Sequence, residues 1–230
     1  MSPSINHRRG FTLVEMLVVV SVIVLIIGLL LPALNRSRDT TRITVCASNE
    51  RQIFNSLAEY AAANVRRFPY DTDTYNGNWM WDMTPDATNQ LASYGGGKLD
   101  FFFCPSSSEQ NAGVHWTFNA NYRVLGYFFA LKRHSGPMAG WAQFLSGKKW
   151  VKGLSEHYQH ATQEVVMDAN LSNANNFATI IGGSPIPHRS SHLGVGNKPT
   201  GGNVLFLDGH VIWRLFGAMQ LQYQGPDHWF

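Results

Sequence analysis

A short polar stretch ending His7-Arg8-Arg9-Gly10 gives way to an almost wholly apolar run from Phe11 to Leu34, whose one charge is Glu15. From Met16 to Leu34 the only plainly polar side chain is Ser21. As a helix rising 1.5 Å per residue, such a segment spans about 28 Å, close to the hydrocarbon thickness of a bilayer. A helix satisfies its own backbone in lipid, and a buried core helix rarely runs this long without a polar face. After Leu34 the pattern changes without stopping. Cys46, Ile53, Leu57 and Tyr60/Ala61 recur at helical spacing, with Arg42, Glu50, Arg51 and Glu59 assigned mostly to other faces. This predicts an amphipathic continuation ending near Arg66-Arg67-Phe68-Pro69, where basic residues precede a proline. Gly28 and Pro32 are the positions at which the helix is expected to bend or locally melt.

Beyond the helix the pattern turns to strands and loops. Residues 70–100 are rich in Asn, Asp, Thr, Gly and Trp, and Gly95-Gly96-Gly97 marks a loop. Phe101-Phe102-Phe103 before Cys104-Pro105, Tyr122 to Leu131, Gln163 to Asp168 and Phe177 to Ile181 are the expected strands. The clearest local signal is Asn203-Val204-Leu205-Phe206-Leu207-Asp208-Gly209-His210-Val211-Ile212-Trp213. Two apolar runs flank Asp208-Gly209, a pair suited to a two-residue hairpin turn. Val204 to Leu207 is apolar on both faces and so belongs at the centre of a sheet.

Composition narrows the functional classes. Hydrophobic residues make up 44% and charged residues 14%, against roughly 25% charged in average domains, so a packed body is expected rather than a disordered one. The net charge of +3 comes from scattered residues, with Lys148, Lys149 and Lys152 the one cluster outside the N-terminus. That cluster reads as a solvated loop, and nucleic acid is not an expected partner. Cys46 and Cys104 fit either a disulfide in an oxidising compartment or two buried thiols, and the spacing does not choose between them.

Several kinds of N-terminal segment share this hydropathy. A secretory signal has a shorter apolar region and a small-x-small cleavage site, which Leu31-Pro32-Ala33-Leu34-Asn35 does not offer. A plain anchor leaves Glu15 unexplained, although an interfacial carboxylate can snorkel. A carboxylate within a membrane segment costs roughly 2.5–3.5 kcal/mol on insertion scales and usually has a partner. Arginines flank the apolar run on both sides, so the positive-inside rule does not orient it.

Arg8-Arg9-Gly10-Phe11-Thr12-Leu13-Val14-Glu15-Met16, joined to that helix, resembles the processing motif of type IV pilins and type II secretion pseudopilins. The resemblance implies that prepilin peptidase cuts after Gly10 and that the new terminal residue, Phe11, is N-methylated. It implies assembly with other pilin or pseudopilin subunits through an inner-membrane platform, and a single-pass chain in the cytoplasmic membrane with its head outside the cytoplasm. Physical reasoning adds a role for Glu15: cutting at Gly10 creates an α-amino group that is cationic near neutral pH, and Glu15 of a neighbouring subunit can pair with it. The C-terminal hairpin is similar to a signature of large prepilin-like proteins in which a histidine precedes Asp-Gly by nine residues. The fit is imperfect, because Lys198 stands at that place and the nearest upstream histidines are His192 and His188. Phe103-Cys104-Pro105-Ser106 and Cys46 through Tyr60 resemble other landmarks of that group.

The expected architecture is therefore an α+β, pilin-like fold: leader 1–10, apolar membrane and assembly helix 11–34, amphipathic continuation 35–66 and globular head 67–230, with the helix packed on a mainly antiparallel sheet. The expected role is structural, with membrane lipid as a further partner and no enzymatic activity. The rival is an anchored extracytoplasmic module that binds glycan or metal without polymerising. The nine histidines raise a metal site, for which Asp168, His192, Asp208 and His210 are the candidates, calcium ranking slightly ahead of zinc and no cofactor being the primary expectation. No Gly-x-Ser-x-Gly elbow appears, and Ser190-Ser191 reads as an ordinary loop pair. The seven tryptophans are assigned to the core and to subunit contacts.

Overall fold

The computed structural model describes residues 11–69, 79–107, 113–117, 120–132, 151–154, 160–180, 187–223 and 227–230. The leader 1–10 with Gly10, the lysines Lys148 and Lys149, Trp141, Trp150 and Ile181 lie outside the described residues. The chain divides into two units, Met1–Thr40 and Thr41–Phe230. One helix, α1 (Leu13–Ala63), has residues in both.

In the first unit every described side chain is exposed, from Phe11 through Leu34 and on to Thr40. This is the one helix among the described residues long and apolar enough to cross a membrane. Its N-terminus is closed by a capping box. Thr12 N–H donates to Glu15 Oε2 at 2.8 Å, Thr12 Oγ1 donates to the same oxygen at 2.8 Å, and Glu15 N–H donates to Thr12 Oγ1 at 3.2 Å. Two amides that the first turn leaves without intrahelical partners are thereby satisfied. The helix runs without interruption through Gly28 and Pro32, so the local melting expected there is not seen. Pro32 lacks the N–H that would bond to the carbonyl of Gly28, four residues earlier, and Gly28 brings no side chain to that turn.

In the second unit α1 buries Cys46, Glu50, Ile53, Ser56, Leu57 and Ala61. Glu50, assigned to an outer face by sequence, completes the 46-50-53-57 stripe and is fully buried. The helix ends at Ala63, three residues short of expectation and with no basic residue in its last turn. Val65 and Arg66 take left-handed backbone, and Arg66 N–H reaches back to the carbonyl of Ala61 at 2.8 Å, closing the end before Arg66 and Arg67 can join it.

Four antiparallel strands in the order β3-β4-β6-β7 form the main sheet: β3 (Tyr127–Phe129), β4 (Glu164–Asp168), β6 (Gly201–Phe206) and β7 (Val211–Leu215). β6 is central, as its two-faced apolar pattern requires. Alternation sends neighbouring side chains to opposite cores. Tyr127, Phe129, Leu205 and Leu207 join Cys46, Ile53, Leu57 and Ala61 in one core, while Phe128, Val204 and Phe206 join Trp81, Leu171 and Phe230 in another. Two smaller sheets complete the unit. One pairs β1 (Asp82–Met83) with β2 (Arg123–Val124); the other runs β5-β9-β8, built from Asn170–Ser172, Asp227–Trp229 and Leu221–Tyr223. Every pair of named strands is antiparallel.

Several expected elements differ. Asp100–Phe102 is a 3-10 turn rather than a strand. The predicted strand from Tyr122 to Leu131 is broken into β2 and β3 at Leu125-Gly126, where a Cβ on Gly126 would lie 2.8 Å from Cys104 N and from Phe103 Cα. Phe177 to Ile180 makes only a bridge, between Ile180 and His188. The hairpin turn holds three residues, not two: Leu205 pairs with Val211, Phe206 N–H bonds to the carbonyl of His210, and Gly209 alone takes a positive φ of 88°. Sequence reading also missed α2 (Pro85–Tyr94), which Thr84 caps by accepting from Ala87 N–H, with Pro85 at its first position.

Leu57 is fully buried, whereas Glu59 faces solvent. Leu57→Ala should lower unfolding free energy by about 2–5 kcal/mol in denaturant titrations of the full chain. Glu59→Ala should stay within about 0.5 kcal/mol of the parent.

Candidate functional site

The second unit places a polar constellation between α1 and the main sheet. α1 supplies Cys46, Asn49 and Glu50; the turn after Phe103 supplies Cys104 and Ser106; β3 supplies Tyr127, β4 Asp168 and β6 Asn203. His192 comes from the segment between β5 and β6, in left-handed backbone with φ 52°, which is uncommon outside glycine. Its carbonyl is held by Thr200, whose N–H and Oγ1 donate at 3.0 and 3.1 Å.

Cys46 and Cys104 form a disulfide with their Cα atoms 5.4 Å apart, a crosslink between α1 and the turn before β2. Beside it, His192 Nε2 lies 3.5 Å from Cys104 Sγ and 3.0 Å from Asp168 Oδ2. Ser106 Oγ sits 2.9 Å from His192 Nδ1 and fixes the ring. Asp168 Oδ2 also accepts from Asn203 N–H at 2.7 Å and from Asn203 Nδ2 at 2.9 Å. Asn203 Nδ2 donates as well to the carbonyl of Ile43 on α1, at 3.2 Å. Asn49 Nδ2 donates to the carbonyl of Phe103 and the hydroxyl of Tyr127.

Within this constellation, Asp168 Oδ1 and both carboxyl oxygens of Glu50 are buried with no hydrogen-bond partner among the described residues. Burial, reinforced by the charge of Asp168, pushes the Glu50 carboxyl well above the ordinary carboxylate range. Burial likewise raises the Tyr127 phenol, with Asp168 and Glu50 adding to the effect.

The four metal candidates from sequence do not form one group. Asp168 and His192 meet in the buried constellation, whereas Asp208 and His210 pair with each other at the exposed hairpin, His210 N–H donating to Asp208 Oδ1 at 3.1 Å. The His210 ring lies flat on Phe206 with centroids 4.3 Å apart, so that pair is accounted for by the turn and the strand start. Glu50 was missed because its charge suggested an outer face; its spacing with Cys46, Ile53 and Leu57 was the available signal. Ser190 Oγ bonds to both the N–H and the carbonyl of Leu171, which leaves it a structural part rather than a nucleophile poised by a base.

A second histidine group lies in the other core. His188 packs against Trp81 and His115 at centroid distances of 5.0 and 5.3 Å, and Trp81 also stacks on His228 at 5.2 Å. Among the tryptophans, Trp81 is a core residue and Trp79 and Trp116 pack partly buried against the cores, as assigned. A separate cavity of about 740 Å³ opens at the end of α1, lined by Tyr60, Asn64, Arg67, Phe68, Lys132 and Lys152 among others; among the described residues its wall carries no acidic, histidine or cysteine side chain.

A long N-terminal helix, apolar and fully exposed in its first unit and amphipathic where an antiparallel α+β body packs on it, defines a pilin-like protein. The model of the family described as the prokaryotic N-terminal methylation motif matches residues 5–31, and together with the apolar helix this fits a type IV prepilin or pseudopilin. The motif points to a structural pilin-type protein, and the helix is consistent with single-pass anchoring in the cytoplasmic membrane. The chain matches no curated protein and no solved structure.

Burial, with a smaller contribution from His115, lowers the His188 pKa from 6.5 to about 4. The unfolded chain therefore takes up a proton that the folded chain refuses, and stability present above pH 6.5 is lost as pH falls towards 4. This group contributes up to about 3 kcal/mol of that acid loss. Thermal or denaturant unfolding at pH 7 and pH 4.5 should show a smaller difference in His188→Gln than in the parent.

Proposed function

We propose that the chain is a major or minor structural subunit of a type IV pilus or a type II secretion pseudopilus, cut by prepilin peptidase after Gly10, N-methylated at Phe11 and assembled through its apolar helix. The observation that carries this reading is the methylation motif at residues 5–31, running into a helix whose apolar side chains are exposed from Leu13 to Leu34. So large an apolar surface needs lipid or the helices of other subunits. The inner-membrane assembly platform and neighbouring pilins are the partners this role requires, with the head outside the cytoplasm.

Glu15 serves twice in this reading. Its Oε2 closes the capping box, and among the described residues its Oε1 takes no hydrogen bond. The freed amine of Phe11 on an adjacent subunit is the partner that a carboxylate in an apolar bundle needs.

The test separates the two roles. Intact mass and N-terminal sequencing of protein from its native membrane should give a chain beginning at methylated Phe11. An unprocessed Met1 terminus beside an active prepilin peptidase would instead favour an anchored binding module. Glu15→Gln keeps a hydrogen-bonding cap but loses the charge, leaving the amine unpaired at a cost of about 3–5 kcal/mol per contact. Filament yield in a shear or secretion assay should collapse, and an assembly-competent Glu15→Gln chain would refute the ion pair.

A further inference from the structure

The disulfide alone does not account for the groups gathered around it. Cys46 Sγ, Cys104 Sγ, an Asp168 carboxylate oxygen and a His192 ring nitrogen all lie within 4.8 Å of one another, and all four residues are buried. A disulfide needs neither an imidazole nor a carboxylate, and burying a carboxylate is costly unless something compensates it. Asp168 is 1% exposed, yet its Oδ1 has no hydrogen-bond partner among the described residues.

We propose that the reduced form of this constellation is a closed zinc site with Cys46, Cys104, Asp168 and His192 as its four ligands, and that the disulfide is its oxidised, metal-free counterpart. Two thiolates, one imidazole and one carboxylate make a complete tetrahedral set for zinc. Calcium, ranked first from sequence, asks for six to eight oxygens and is a poor match to two sulfurs and a nitrogen. Ligand atoms on a tetrahedral zinc lie about 3.2–3.8 Å apart, given bonds of about 2.0–2.3 Å. The observed separations of 3.0 Å from His192 Nε2 to Asp168 Oδ2 and 3.5 Å from Nε2 to Cys104 Sγ come close to that range.

The surroundings suit a metal better than they suit a crosslink. Metal-binding histidines are commonly held through their second ring nitrogen, and ligating carboxylates are themselves hydrogen-bonded. Ser106 holds His192 Nδ1, which directs Nε2 at the cluster, and Asn203 holds Asp168 Oδ2 through two bonds. The left-handed backbone of His192, tied by Thr200, points the ring inward at a conformational cost that a ligand role would justify.

The interconversion balances. A dithiol, either a small molecule or the active site of a thiol–disulfide oxidoreductase, gives two electrons and two protons to the Cys46–Cys104 bond and becomes a disulfide itself. Zinc then binds both sulfurs as thiolates and releases the two protons. Either form ties α1 to the turn before β2, so the joint survives in a reducing or an oxidising compartment.

The experiment uses the full chain in detergent, with zinc ion as the probe. After reduction with dithiothreitol and desalting under inert gas, the parent should retain one zinc per chain. Maleimide labelling of both cysteines should slow at least about tenfold when zinc is bound, and the oxidised chain should retain none. Cobalt(II) in place of zinc should give a thiolate charge-transfer band and the visible bands of a tetrahedral ion. His192→Ala should weaken zinc by about tenfold or more, while its oxidised form still shows the Cys46–Cys104 crosslink and a cooperative melt. If reduction unfolds the chain, zinc should restore its near-ultraviolet circular dichroism. Equal labelling rates with and without zinc, cobalt spectra of an octahedral ion, parent-like affinity in His192→Ala or a failure of zinc to refold the reduced chain would each overturn the proposal.

Discussion

One helix has to satisfy two different solvents, and the rest of the molecule answers to that constraint. From Leu13 to Leu34 α1 is exposed and, apart from Glu15 and Ser21, apolar on every face, an arrangement that water penalises and hydrocarbon does not. From Thr41 onward the same backbone carries one buried stripe and an otherwise mainly polar surface. The change of composition is not accompanied by a break in hydrogen bonding, because a break at membrane depth would leave peptide groups without partners. Proline at position 32 is the one concession, costing a single bond at the Gly28 carbonyl.

In the second unit, the stripe is not simply hydrophobic. Cys46 and Glu50 face the sheet where Asp168, Tyr127 and Asn203 emerge, so two carboxyl groups share one buried region. Burial, reinforced by the charge of Asp168, raises the Glu50 carboxyl well above the ordinary range, while Asp168 gathers the donors. His192 supplies the remaining polar partner from the segment between β5 and β6. Asn203 connects the layers by bonding both to Asp168 and to the carbonyl of Ile43, which gives the helix and sheet a fixed register that apolar packing alone would leave looser.

What the sequence made legible was whatever depends on local periodicity or on a short motif. The apolar run, the Cys46-Ile53-Leu57 stripe, the central strand at Val204 to Phe206 and the glycine-bearing hairpin all follow from side-chain spacing within one element. What stayed hidden depends on contacts between distant residues. Phe101-Phe102 has the composition of a strand, but burial against α1 and Gly126 holds it in a 3-10 turn. Glu50 looked like a solvent residue because charge is a weaker guide to burial than the spacing around it. Asp168 and His192 were legible as metal-ligand types, yet they were grouped with Asp208 and His210 around the C-terminal hairpin. The fold instead joins them to Cys46 and Cys104, up to 146 residues away by the difference of residue numbers 192 and 46.

The N-terminal capping box bears on how a charged side chain is kept inside an apolar helix. Thr12 satisfies Glu15 through one oxygen only, and Glu15 in return satisfies the Thr12 amide. The local exchange costs the side chain its rotamer freedom before any neighbour arrives, so an incoming amine meets a carboxylate already oriented. It also places negative charge in the first turn, where the aligned peptide dipoles favour it. A glutamate at this position therefore stabilises the isolated helix modestly, and in the proposed assembly it would also pair with the amine of a neighbour. Only the second contribution requires the charge: an amide can still cap the turn, but it cannot neutralise a buried ammonium group.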